Sequence, residues 1–160
     1  MYKRILGPLD GSKLAECSVE HIKAIATGCQ ASDVILLAVL EPLPMMPFFV
    51  GREAADKTAK QRQEEERQVR QRAEDYLNKV AKGLKKEGIA VQTVLMPPKH
   101  DKGAAEVILD YAEKNGVELI IMSTHGRSGF SRLAFGSVTD RIVRNAKIPV
   151  LTVSPVSCKA

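Results

Sequence analysis

A chain of 160 residues and 17.5 kDa, with 24 Lys and Arg against 19 Asp and Glu, carries a formal charge of +5 and a pI near 9.2. Its length predicts one domain over 1–160 that buries roughly 70% of the surface of the extended chain, and 44% hydrophobic with 27% charged residues excludes wholesale disorder. No apolar run approaches the ~18 residues of a membrane span, and Met1-Tyr2-Lys3-Arg4 leads into a short stretch broken at Gly7-Pro8 instead of a signal-peptide core, so the expected compartment is the cytoplasm.

Arg4-Ile5-Leu6 reads as a short strand stopped by Gly7-Pro8-Leu9-Asp10-Gly11, and Ser12 is placed to cap a helix. Ala15, Val19, Ile22, Ala26 and Cys29 then recur at steps of four and three, which puts them on one stripe of that helix. Asp33 to Leu40 is continuously apolar after its first residue, the pattern of a strand covered on both faces, and Pro42 and Pro44 close it. With three prolines, residues 41–51 are expected as a loop or lid, and the Met45-Met46-Pro47-Phe48-Phe49 cluster within them as core or lid packing.

The next helix has two characters. Lys57 to Gln68 is almost wholly polar, with Glu66 and Arg70 spaced to pair in solvent, whereas Val69, Tyr76, Leu77, Val80 and Leu84 form a stripe that can dock; residues 41–68 thus read as a loop and an exposed helix start. Ile89 to Leu95 predicts a third strand, Met96 to Gly103 a loop and Ala104 to Lys114 a helix. Glu118 to Ser123 predicts a fourth strand, Ser137 to Ala146 a helix, and Pro149 to Val153 a fifth strand. This alternation predicts an α/β fold, a doubly wound parallel sheet of five strands with helices on both faces.

The positive excess is not a nucleic-acid signature. Arg52 to Glu87 holds eleven basic and eight acidic side chains, mixed in sign as on a solvated helix face. Aromatics are 4% and Trp is absent, which removes the platforms on which single-stranded bases stack. Cys17, Cys29 and Cys158 are too scattered for a disulfide framework and are expected as reduced thiols, and no histidine has a partner at metal-ligand spacing.

In an open parallel sheet, ligands bind beyond the carboxyl ends of the strands where the winding reverses. The loops after strands one, two and four are therefore the candidates, and the last is the most informative. It holds Gly126, Gly129 and Gly136 with Arg127 and Arg132, and Gly136-Ser137 opens a helix. Unpaired amides and a partial positive charge at a helix start suit an anion, and the hydroxyls of Ser137 and Thr139 add donors, so a phosphate site is the expectation. Gly7 to Lys13 misses the Walker A spacing, no G-x-G-x-x-G occurs, and Gly126-Arg127-Ser128-Gly129 is one residue short of a nucleophile elbow. Asp10, His125 and Ser137 invite a hydrolase triad, but Ser137 is more simply a cap or phosphate donor and His125 a ligand contact or structural imidazole.

Ser123-Thr124-His125-Gly126, nine residues and then Gly136-Ser137-Val138-Thr139 resembles the G-x2-G-x9-G-[S/T] signature of the ATP-binding branch of the universal stress protein family. The opening Ile5 to Ser12 and the closing Ile148-Pro149-Val150-Leu151-Thr152-Val153 extend the resemblance over essentially the whole chain. It implies strand order 3-2-1-4-5. Pro8, Leu9, Asp10 and the backbone of Val39 would then hold the adenosine end, with Met122, Ser123 and His125 along the ribose. Gly126, Gly136, Ser137, Val138 and Thr139 would grip the phosphates. The resemblance further implies ATP as ligand, with Mg²⁺ as an optional companion, a homodimer through Pro149 to Val153, and a regulatory role towards a protein partner. A slow ATP hydrolase and a nucleotide-free dimeric interaction module are the competing readings. The first glycine of the signature is Ser123 here, which is expected to crowd the ribose, and the Met96 to Gly103 loop looks longer and more basic than usual.

Overall fold

The computed structural model describes residues 1–41, 52–97, 101–125 and 136–154, with side chains of the second helix from residue 59 onward. The order is β1 (Arg4–Pro8), α1 (Lys13–Cys29), β2 (Asp33–Val39), α2 (Arg52–Lys86), β3 (Val91–Met96), α3 (Ala104–Lys114), β4 (Leu119–Ser123), α4 (Ser137–Asn145) and β5 (Val150–Val153). All pairings are parallel, in the order β3-β2-β1-β4-β5.

The central strands are apolar on both faces because both faces are covered. Val34, Leu36 and Ala38 of β2 point into a core shared with Ala15, Ile22 and Ala26 of α1 and Leu77, Ala81 and Leu84 of α2. Ile35 and Leu37, the alternate residues, face a second core with Ala105 and Ile108 of α3 and Ile142 of α4. One pair of helices thus packs each face. Each fully buried Ile or Leu of this kind contributes roughly 1.5–3 kcal/mol.

Gly7 and Pro8 do not stop β1; the strand runs through both, pairing Gly7 with Leu36 and Pro8 with Leu37. Packing favours Gly7, since a Cβ there would stand 2.5 Å from Cδ1 of the fully buried Ile22, whose side chain would have to shift. The amide of Leu9 donates to the Leu37 carbonyl at 2.8 Å, so by alternation the missing donor of Pro8 falls on the β4 side. No ladder bond is lost there, because β1–β4 pairing ends at Leu6–Ile120. Proline is tolerated in this central strand because its neighbour has already turned away.

α1 is capped at both ends. Ser12 Oγ accepts the Ala15 amide at 3.1 Å, Asp10 Oδ1 accepts the Ser12 amide at 2.9 Å, and Gln30 closes the helix at φ 49° with its amide on the Ala26 and Thr27 carbonyls. α2 begins at Arg52, earlier than the polar pattern from Lys57 suggests, and its 35 residues run about 50 Å at 1.5 Å per residue. Among the described residues no strand is longer than 7, and α2 docks through its second half: Leu77, Ala81 and Leu84 are buried while Val69 stays exposed. Arg70 pairs forward with Glu74 at 2.9 Å instead of back with Glu66. Cys29 carries a free thiol, but Cys17 is disulfide-bonded, so the expectation of reduced thiols fails for Cys17. Sequence spacing does not report which sulfurs meet in space. The 42–51 loop, with its Met-Phe cluster, lies outside the described residues.

Two glycine substitutions should move stability in opposite directions. Gly7→Ala forces Ile22 out of place and should cost about 1–3 kcal/mol. Gly83→Ala, inside α2 with nothing within 4 Å of the new Cβ, should gain about 0.5–1 kcal/mol. Urea midpoints measure both.

Candidate functional site

Where β1 and β4 part, a cavity of about 390 Å³ opens beyond the carboxyl ends of the strands. Pro8, Leu9 and Asp10 reach it from the end of β1, and Val39 from the end of β2. Met122, Ser123 and His125 reach it from β4, and Gly136, Ser137, Val138 and Thr139 from the start of α4. All the expected site residues that the structure describes therefore share one wall or another of this cavity. Gly126, Arg127 and Gly129 lie outside the described residues.

Three helix starts meet at the cavity and their caps differ: α3 opens on Gly103, which like the N-cap of α4 has no side chain to bond the first turn, whereas α1 is closed. α1 has Ser12 as its N-cap, its side chain bonded to the first turn. α4 has Gly136 as its N-cap, which offers no side chain, so its first-turn amides face the cavity without an internal acceptor from the cap. Gly136 adopts φ −57° and ψ 151°, open to any residue, and a Cβ there would only touch the Thr124 carbonyl at 3.4 Å. Backbone geometry therefore does not demand glycine here; what glycine gives is an N-cap with no side chain over the first-turn amides.

Side chains expected to act alike are used differently. Ser137 is exposed at the first helical position. Thr139 is buried and its hydroxyl donates to the Ser123 carbonyl at 3.0 Å, so it ties α4 to β4 instead of adding a donor for an anion. Ser123 is buried with its side chain at the cavity wall, and its Oγ lies 3.4 Å from the His125 amide. The His125 Nδ1 lies 2.9 Å from Thr124 Oγ1, which fixes the ring through its neighbour. Asp10, His125 and Ser137 do reach one cavity, but that Nδ1 contact takes the position a triad carboxylate would occupy.

α2 comes near the same end of the sheet through Tyr76. Burial pushes its hydroxyl well above the ordinary tyrosine range, and the Glu16 and Asp10 carboxylates push the same way.

Part of the wall escaped the sequence reading. Leu37, Leu40 and Ile108 make it apolar, Glu41 adds a carboxylate, and Lys102, Gly103 and Ala104 close it from the start of α3. The carboxyl-end rule covers the loop after β3 as fully as the other three, and that was the available signal. Lys102 bonds Asp110, and this contact, followed by the fields of Asp101 and Glu106, holds its ammonium above the usual lysine range.

The chain matches the model of the universal stress protein family over residues 1–154. It is 29% identical over 160 residues to universal stress protein MJ0577 of Methanocaldococcus jannaschii, covering 96% of this chain and 95% of that one. The solved MJ0577 structure superposes at a TM-score of 0.76 with 30% identity over 96% of each chain. Two more distant structures share the fold: a universal stress protein in complex with cAMP (17% identity, TM-score 0.65, 96% of this chain and 98% of that one) and an Arabidopsis thaliana family protein with AMP bound (13%, 0.62, 95% and 91%).

The Thr139 tie between α4 and β4 should be costly to cut. Thr139→Val keeps the shape but strands the Ser123 carbonyl, and the urea midpoint should fall by the equivalent of about 1–3 kcal/mol.

Proposed function

The chain belongs to the universal stress protein family, and from that premise we propose that its cavity binds ATP and that occupancy makes it a nucleotide-dependent regulatory module of the cytoplasm. The observation that carries this reading is the cavity's polarity. One end has Asp10 and Glu41, whose carboxylates accept hydrogen bonds from ribose hydroxyls or an adenine amino group. The other has the start of α4, whose N-cap has no side chain to bond the first-turn amides. Apolar Leu37, Val39 and Met122 lie along the wall, suited to a flat base, and the volume is within the range of small-molecule sites. That two family members were solved with AMP or cAMP bound supports an adenine nucleotide as the class of ligand.

Within this proposal Pro8, Leu9, Asp10 and Val39 hold the adenosine, and Met122, Ser123 and His125 border the ribose. Gly136, Ser137 and Val138 meet the phosphates through their amides, with Thr139 holding the helix start in place. Gly126, Arg127 and Gly129 are proposed to complete the phosphate grip. Among the described residues no group of three or more His, Cys, Asp or Glu could hold a metal, so Mg²⁺ would arrive with the phosphates it neutralises. β5 stands at the edge of the sheet, with Val150 and Leu151 partly buried, and is the proposed dimer seam. Pairing with a second copy would cover backbone groups that otherwise invite aggregation.

Calorimetry of the purified chain with ATP tests the reading directly; saturable binding is expected, and absence of heat at millimolar ATP removes it. Since Trp is absent and Tyr numbers three, adenine retained through purification should also dominate absorbance near 260 nm. A sharper check separates folding from binding. Gly136→Asp supplies α4 with an N-cap side chain, so stability should hold or rise by a few tenths of a kcal/mol, while ATP binding is lost because a carboxylate occupies the phosphate position.

A further inference from the structure

The loop after β3 ends in a feature that the nucleotide reading leaves unused. Lys102 contributes the one Lys or Arg side chain to the cavity wall among the described residues. Its ammonium is paired with Asp110 of α3, and the two side chains are 38% and 33% exposed. The start of α3 lies against α4: Arg141 Nη1 pairs with Glu106 Oε1 at 2.8 Å, and a Cβ on Gly103 would stand 3.9 Å from the same Arg141 nitrogen. Lys102, just before α3, is therefore held on the cavity wall close to α4.

We propose that Lys102 reads the polyphosphate: its ammonium exchanges Asp110 for the outer phosphates of a nucleoside triphosphate lying against α4, so the cavity favours ATP over AMP and adenosine. The inference rests on the nucleotide reading and adds to it the residue that distinguishes the length of the phosphate tail. The exchange is physically easy. A part-exposed pair of this kind is weak in water and holds its partners loosely. A terminal phosphate carries more negative charge than one carboxylate and offers several acceptor oxygens to the same ammonium. Lysine suits the task, since its flexible stem can leave one anion for another without a fixed fork geometry. A monophosphate held at the α4 amides presents no outer phosphate, and adenosine presents none at all.

The test is calorimetry of the full chain with ATP, AMP and adenosine, comparing wild type with K102Q, K102M and K102R. Loss of the charge in K102Q should weaken ATP about tenfold while AMP and adenosine change less than about twofold, and K102R should restore most of the ATP affinity. K102M is the second neutral variant should K102Q fold poorly. Unchanged ATP affinity in the neutral variants, or equal weakening of all three ligands, overturns the proposal while leaving nucleotide binding intact. Failure of K102R to recover affinity overturns the charge-exchange account. If wild type binds none of the three, the nucleotide reading itself falls and this inference with it.

Discussion

The parting of β1 from β4 is the constraint on which the site depends. β1 stays paired with β2 through Pro8–Leu37, but its pairing with β4 ends at Leu6–Ile120. A wedge therefore opens at the centre of the sheet, between β1, which feeds α1 on one face, and β4, which feeds α4 on the other. Pro8 suits that wedge because its missing amide faces a strand that is no longer within reach. Gly7 one residue earlier lets α1 settle so closely that Ile22 fills the space a Cβ would need. The same few residues thus serve both the packing of α1 and the opening of the cavity.

Capping chemistry gives the cavity its direction. The start of α1 is closed by Ser12 and Asp10, which spend its amides on the chain itself. The start of α4 is left to Gly136, and the helix is held in place from behind by Thr139 on the Ser123 carbonyl. α1 is closed by a cap side chain, whereas α4, like α3, starts on a glycine with none. Asp10 follows β1 and Glu41 follows β2, whereas α4 starts after β4, so the cavity draws its carboxylates and this helix start from different strands.

α2 shows how tertiary context restricts a local pattern. Its apolar stripe occupies only the second half, its length exceeds what the sheet can cover, and among its described side chains the buried ones are Leu77, Ala81 and Leu84. The remainder is stabilised by pairs along its own surface, such as Arg67 with Glu64 at 2.8 Å and Arg70 with Glu74. Those contacts are weak individually, and they choose among several neighbours within a turn, which is why the expected Glu66–Arg70 pair did not form.

What the amino-acid order determined alone is whatever depends on neighbours a few positions apart. The alternation of buried strands and striped helices, the Ser12 cap, and the glycine-opened start of α4 are all local, and each was legible. Strand order 3-2-1-4-5 came from the family resemblance that the signature from Ser123 to Thr139 carries. Only the folded chain decided that β1 continues through Pro8, that the Thr139 hydroxyl is spent on Ser123, and that Lys102 faces the same cavity as Gly136. These outcomes turn on distances between residues far apart along the chain. Periodicity fixes which face a residue occupies, but only packing fixes what stands opposite it.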